Sequence, residues 1–300
     1  MATFSPTDAA LEGFRILRER RRAVGIWVLA NLVVSVVMGV LLITLFGGTL
    51  AQMEAMNEAA ASDPAQALAM YAKLAPLYAL MIPLGLVVIA VSSAAVYRIV
   101  LRPDDSAYGY LRLGRDEWRL VLLMLIYVAL GILFTFVVTL AAGLIAGAAL
   151  AMGEGIGALV GTLAGLAAVG AIIFVAVRMS LAGPMTFAEQ RLRVFQSWTL
   201  TRGRFWRLFG AYALAVILML IVFLLALIIY AAVATIVSGG DINAAGGMLQ
   251  PDTASLSGYF TAAGLVWLVF GAVLGAVQNA IIYAPPAVVY RDLTGAAPEA

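Results

Sequence analysis

Residues 208–237 read LFGAYALAVILMLIVFLLALIIYAAVATIV, an apolar run without a single Asp, Glu, Lys or Arg. A helix rises 1.5 Å per residue, so about 20 such residues cross a hydrocarbon core of roughly 30 Å. A helix on the surface of a soluble domain would carry a polar face, and this run has none. It is therefore read as a membrane-spanning helix, and the chain around it repeats the pattern. Five more runs of sufficient length lie at residues 23–46, 77–97, 120–152, 156–177 and 259–289. The third and sixth spans, each about 30 residues or roughly 45 Å, must tilt, bend or protrude into the interface. Pro83 falls inside the second span, and Pro285-Pro286 is expected to kink or end the sixth. The reading is an all-α polytopic membrane protein, with an arm at 1–22, six spans within 23–289 and a tail at 290–300.

The composition agrees. Of 300 residues, 64% are hydrophobic and 11% charged, whereas a soluble chain is roughly a quarter charged. The net charge of +2 speaks against a nucleic-acid partner. With no Cys and no His, the chain has no thiol nucleophile, no disulfide and none of the commonest general base and transition-metal ligand. No metal or other cofactor is expected.

Orientation follows from the basic residues, because Lys and Arg flanking the spans are retained in the cytoplasm. The arm holds Arg15, Arg18, Arg20, Arg21 and Arg22, and the link between spans two and three holds Arg98, Arg102, Arg112, Arg115 and Arg119. The link between spans four and five adds Arg178, Arg191, Arg193, Arg202, Arg204 and Arg207, and the C-terminus adds Arg291. Lys73 alone falls on the other side, with Glu54, Glu58, Asp63, Glu154, Asp241 and Asp252. Both termini are thus expected in the cytoplasm. The first run is too long for the 7–15-residue core of a secretory signal and has no convincing cleavage site after it, so it is read as an uncleaved span.

A repeat underlies the six spans. The even-numbered ones end alike, in Ala95-Val96-Tyr97-Arg98, Val175-Ala176-Val177-Arg178 and Val288-Val289-Tyr290-Arg291, and Trp118-Arg119-Leu120 recurs as Trp206-Arg207-Leu208. Phe14-x-Ile16-x-Arg18-x-Arg20 likewise matches Trp198-x-Leu200-x-Arg202-x-Arg204. The unit is a basic, aromatic entry segment followed by two spans, three times over. In the first entry segment, Ser5, Pro6 and Asp8 form a helix start signal. Leu11, Phe14 and Leu17 then share a face opposite Arg15, Arg18, Glu19 and Arg22. In the third, Phe187, Val194, Phe195 and Trp198 recur at helical spacing. These segments read as amphipathic interfacial helices, serving either as topology anchors or in recognition of anionic headgroups.

Candidate sites are few. Arg98, Arg178 and Arg291 end equivalent spans, and their guanidinium forks suit lipid phosphate; snorkelling anchors are the competing reading. Asn31, Gln278 and Asn279 are intramembrane polar residues that either line a solute path or hydrogen-bond between helices. Small-residue stripes at Gly143/Gly147, Gly157/Gly161/Gly165 and Gly271/Gly275 are expected to pack neighbouring spans, with homo-oligomerisation or a partner membrane protein as the alternative use. Asp104-Asp105 and Asp116-Glu117 lie among five arginines, Arg112 at i−4 from Asp116, and read as neutralised pairs. No ionisable residue falls clearly inside a span, whereas coupled transporters usually carry intramembrane carboxylates.

The stretch Arg178-Met-Ser-Leu-Ala-Gly-Pro184, followed by Gln196-Ser-Trp-Thr-Leu-Thr-Arg202-Gly-Arg-Phe-Trp206, resembles the bacterial six-span family built on the membrane domain of glycerophosphoryl diester phosphodiesterases and its stand-alone YciC-like relatives. The motif similarity covers about 30 residues, while the six-span plan agrees across the chain. Some members of that family carry a catalytic barrel. Here only a short tail follows the sixth span and there is no His for a barrel's acid–base chemistry, so no catalytic residue carries over. The resemblance implies a bacterial inner-membrane protein linked to lipids. The expectation is a non-enzymatic integral inner-membrane protein contacting membrane lipids or partner membrane proteins, the alternative being a small permease or transport subunit. A polar cavity near Asn31, Gln278 and Asn279 would favour the permease.

Overall fold

The computed structural model describes residues 4–54, 64–241, 245–246 and 255–295. Glu58, Asp63, Asp252 and the end of the 290–300 tail lie outside them. The fold is all-α: α1 (Pro6–Glu19), α2 (Arg21–Glu54), α3 (Pro64–Leu101), α4 (Arg115–Leu150), α5 (Glu154–Met179), α6 (Ala182–Glu189), α7 (Gln196–Leu200), α8 (Phe205–Val237) and α9 (Ala262–Thr294). Six helices are long and apolar enough to cross a membrane, namely α2, α3, α4, α5, α8 and α9. The protein is a polytopic membrane protein.

Helix starts follow the chemistry of unpaired N–H groups. Ser5 caps α1 by accepting from the Asp8 N–H at 3.3 Å, with Pro6 in the first turn. Thr261 caps α9 by accepting from the Gly264 N–H at 3.2 Å. Pro285-Pro286 does not end α9, which continues to Thr294. Residues 284–290 are all buried, so surrounding helices keep the segment helical, although the carbonyls of Ile281 and Ile282 lose their helical partners.

α9 is the hub, packed by α1, α2, α3 and α8, and touched by α6. Its packed face is an alanine stripe, Ala272, Ala276, Ala280 and Ala284, each at most 1% exposed. The glycines Gly271 and Gly275 stand one position aside. Gly275 meets Asn31, but nothing lies within 4 Å of a Cβ built on Gly271, Gly143, Gly147 or Gly165. Of the glycine stripes, close packing is thus met at Gly157, Gly161 and Gly275 only. Consecutive pairing is tightest for α4 with α5, while α2 leans chiefly on α9 rather than on α3.

The first entry helix is docked rather than laid on a surface. A Cβ on Gly13 would stand 2.6 Å from the Cα of Ile281 and 2.7 Å from the Ala280 carbonyl, so α1 and α9 touch backbone to backbone. The buried residues of α1 are Ala9, Ala10, Gly13 and Ile16 with Glu12, whose carboxylate pairs with Arg15. Of the expected apolar face, Phe14 and Leu17 are partly packed and Leu11 is exposed. Small residues win because they allow the axis to come closer. The second entry segment is a loop with a 3-10 turn at Ala107–Tyr110, and the third is broken into α6 and α7.

Candidate functional site

The arginine-rich end is built around the close of α3. Arg98, 3% exposed, forms an ion pair with Glu117, 1% exposed, and donates from Nη1 to the Tyr110 carbonyl at 2.8 Å. Glu117 occupies the third position of α4 and also accepts from the Gly114 N–H at 2.8 Å. One carboxylate therefore closes the helix start and neutralises the buried guanidinium. Between the two helices the chain turns through three successive left-handed residues, Tyr108, Gly109 and Tyr110. That conformation costs energy at a tyrosine. It is held by Arg98 and by the Trp27 indole, which donates to the Gly109 carbonyl at 2.7 Å.

Arg102 extends the cluster. It donates to Asp116 at 3.2 Å and to the Phe187 carbonyl at 3.2 Å near the end of α6, where a cation complements the helix dipole. The Phe187 ring is flanked by both guanidinium groups, with centroid distances of 5.4 Å to Arg98 and 4.8 Å to Arg102. Asp116 accepts a second arginine, Arg119, at 2.6 Å. Arg112, expected near Asp116, pairs with Asp105 instead, since the loop folds back over the end of α3.

Arg178 is 6% exposed and stands 4.6 Å from the Trp198 ring centroid. Its Nη2 donates to the Trp198 carbonyl at 2.7 Å, whereas its buried Nε has no partner. Ser197 donates to the Arg178 carbonyl at 2.8 Å, and the Thr201 hydroxyl, 2.7 Å from the Ser197 carbonyl, lies 3.1 Å from the same Arg178 oxygen, fastening α7 to the end of α5. Arg291 is half-buried and pairs with its neighbour Asp292. The three repeat arginines thus differ. Arg98 is committed to protein partners, Arg178 keeps one unengaged donor, and Arg291 has only a local acid.

The three carboxamides are not brought together. Asn31 donates to the Ala272 carbonyl at 3.3 Å, bonding α2 to α9. Asn31 and Asn279 line a cavity of about 250 Å³ whose other walls include Trp27, Val34, Val87 and Leu113. Gln278 belongs to a different cavity of about 630 Å³, between α8 and α9. That cavity also holds Tyr97, Ser180, Tyr212 and Tyr283, which the sequence analysis did not single out. The available signal was three phenols set within apolar spans, all on the side of the span nearer the arginines.

Compared with family models, curated proteins and solved structures, the chain matches none of them.

Proposed function

We propose that the protein is a non-catalytic component of the bacterial cytoplasmic membrane, with both termini in the cytoplasm, that binds anionic lipid headgroups at its arginine-rich end. The observation that carries this reading is a set of exposed, unpaired guanidinium groups beside exposed indole rings. Arg115, Arg191, Arg202 and Arg207 are exposed and make no ion pair among the described residues. Trp118, Trp198 and Trp206 are exposed on the same segments. Indole rings favour the headgroup level, and each basic residue near an anionic surface is worth about 1 kcal/mol. Charge counting supports the same placement: 17 arginines stand at this end against nine acids among the described residues. The segment that resembles the phosphodiesterase membrane-domain family folds around this end too. A small permease receives less support, because Asn31 and Asn279 line one cavity and Gln278 another.

The test is retention of phosphatidylglycerol through detergent exchange, read by native mass spectrometry. Replacing Arg115, Arg191, Arg202 and Arg207 together by Gln is expected to lower retention about tenfold or more. The double variant R98M/E117L should leave it unchanged. Equal retention by the fourfold variant and the unmodified protein would overturn the reading.

A further inference from the structure

The 630 Å³ cavity between α8 and α9 is graded along its length. One end carries Tyr97, Ser180, Tyr212 and Tyr283, of which Tyr97 and Ser180 stand within two residues of Arg98 and Arg178. The other is walled by Met219, Leu220, Phe223 and Leu274. From Tyr212 to Phe223 along α8, and from Pro286 back to Leu274 along α9, the helical rise amounts to roughly 16–18 Å. The cavity therefore runs from the level of the arginine-rich end toward the middle of the bundle. Its rim faces outward: Val216, Leu220, Phe223 and Ile282 are all exposed. A hydrocarbon tail lying parallel to the helices could enter sideways from the membrane.

The hydroxyl end has unused hydrogen-bonding capacity. Ser180 has one proton and donates it to the Val177 carbonyl at 2.8 Å. Its 2.7 Å contact with Tyr212 is then a bond donated by the phenol, which leaves the Tyr212 oxygen free to accept. Tyr97 is 5% exposed, lines the cavity, and its hydroxyl has no hydrogen-bond partner among the described residues. The hydroxyl is accommodated because residue 183 is Gly, where a Cβ would come within 2.6 Å of it. Tyr283 packs edge-on against Tyr97, with ring centroids 6.5 Å apart, and its hydroxyl is likewise without a hydrogen-bond partner among those residues. Two phenol donors and one phenol acceptor thus belong to residues lining a space whose one other polar side chain of any length is the uncharged Gln278, and which no Arg, Lys, Asp or Glu lines.

We propose that this cavity binds an uncharged lipid whose head bears hydroxyl or carbonyl oxygen, with its tail toward Phe223 and Leu274. A phosphate there would be desolvated with no cation in the wall to compensate, whereas hydroxyl and carbonyl groups match the two phenol donors and the phenol acceptor. The cavity volume falls within the 300–1,000 Å³ range of ordinary ligand sites. This site is separate from the exposed arginines and its head chemistry is opposite to theirs.

The experiment is photocrosslinking of the full chain in lipid nanodiscs. Three probes carry the same diazirine acyl chain: a diacylglycerol, a long-chain alcohol and a phosphatidylglycerol. The two uncharged probes should label peptides containing residues 216–223 and 274–286, and their relative yields distinguish a glyceride from a simple lipid alcohol. Y97F and Y283F keep the rings and should each weaken competition by the unlabelled uncharged lipid about fivefold. A215F, which narrows the cavity without adding a polar group, should abolish labelling at these peptides. Equal labelling there by phosphatidylglycerol, or unchanged competition in Y97F/Y283F with thermal unfolding preserved, would overturn the assignment.

Discussion

Residues 93–100 of α3 are buried without exception, whereas among residues 130–150 of α4 only Ala149 is. The same contrast runs through the bundle. One large core joins α1 to α6, α8 and α9 at the arginine-rich end. The opposite half holds small satellites, such as Tyr230 with Trp267 and Phe270. In water such a half would be unstable, but lipid tails are as apolar as Leu, so leaving those side chains facing outward costs little. The comparison teaches where specificity resides. The end with arginines, phenols and small residues fixes which helices meet; the apolar half only has to match hydrocarbon.

The sharpest way to break this contrast is E117A. It leaves the buried Arg98 with only Asp105, 3.8 Å from its Nε, as an acid partner and should cost about 3 kcal/mol in unfolding titrations in mixed micelles, with most of the loss recovered in R98M/E117L. A wild-type titration for E117A would show that the ion pair does not hold this end together. Next is G13L, which forces apart two backbones now in contact. A loss of about 1–3 kcal/mol is expected, together with faster trypsin cleavage at Arg18 to Arg22 as α1 lifts off. N31L removes one hydrogen bond between α2 and α9 and should cost about 0.6 kcal/mol in the same titration. Smallest of all should be G147L and G165L, within about 0.5 kcal/mol of the unmodified protein, because no atom lies within 4 Å of either added Cβ. A loss of about 2 kcal/mol or more at either glycine would mean that the outward stripe is covered in the membrane.

The six spans were legible because hydropathy sums over some 20 residues and tolerates local error. The cap at Ser5 was legible because its chemistry is confined to four residues. What escaped depends on partners distant in sequence. A glycine stripe and an alanine stripe both read as packing faces, and only the positions of α1 and α2 decide that Ala272 to Ala284 is covered while Gly271 is not. The role of Arg98 was hidden for a similar reason. Its partner Glu117 lies across a turn in which two tyrosines adopt a left-handed conformation, and sequence normally reserves that conformation for Gly or Asn. The phenol cluster draws on α3, α8 and α9, so no single segment displays it.

The contact of Gly13 with Ala280 and Ile281 joins α1 to a helix that the ribosome makes five spans later. At roughly 5–20 residues per second, α1 waits on the order of tens of seconds before its seat on α9 exists. Until then its Ala9, Ala10 and Ile16 face has α8 against it, through Ala215, but not α9. Docking of α1 on α9 therefore waits for every span between them. A nascent chain that stalls before residue 281 leaves Gly13 without its seat on α9.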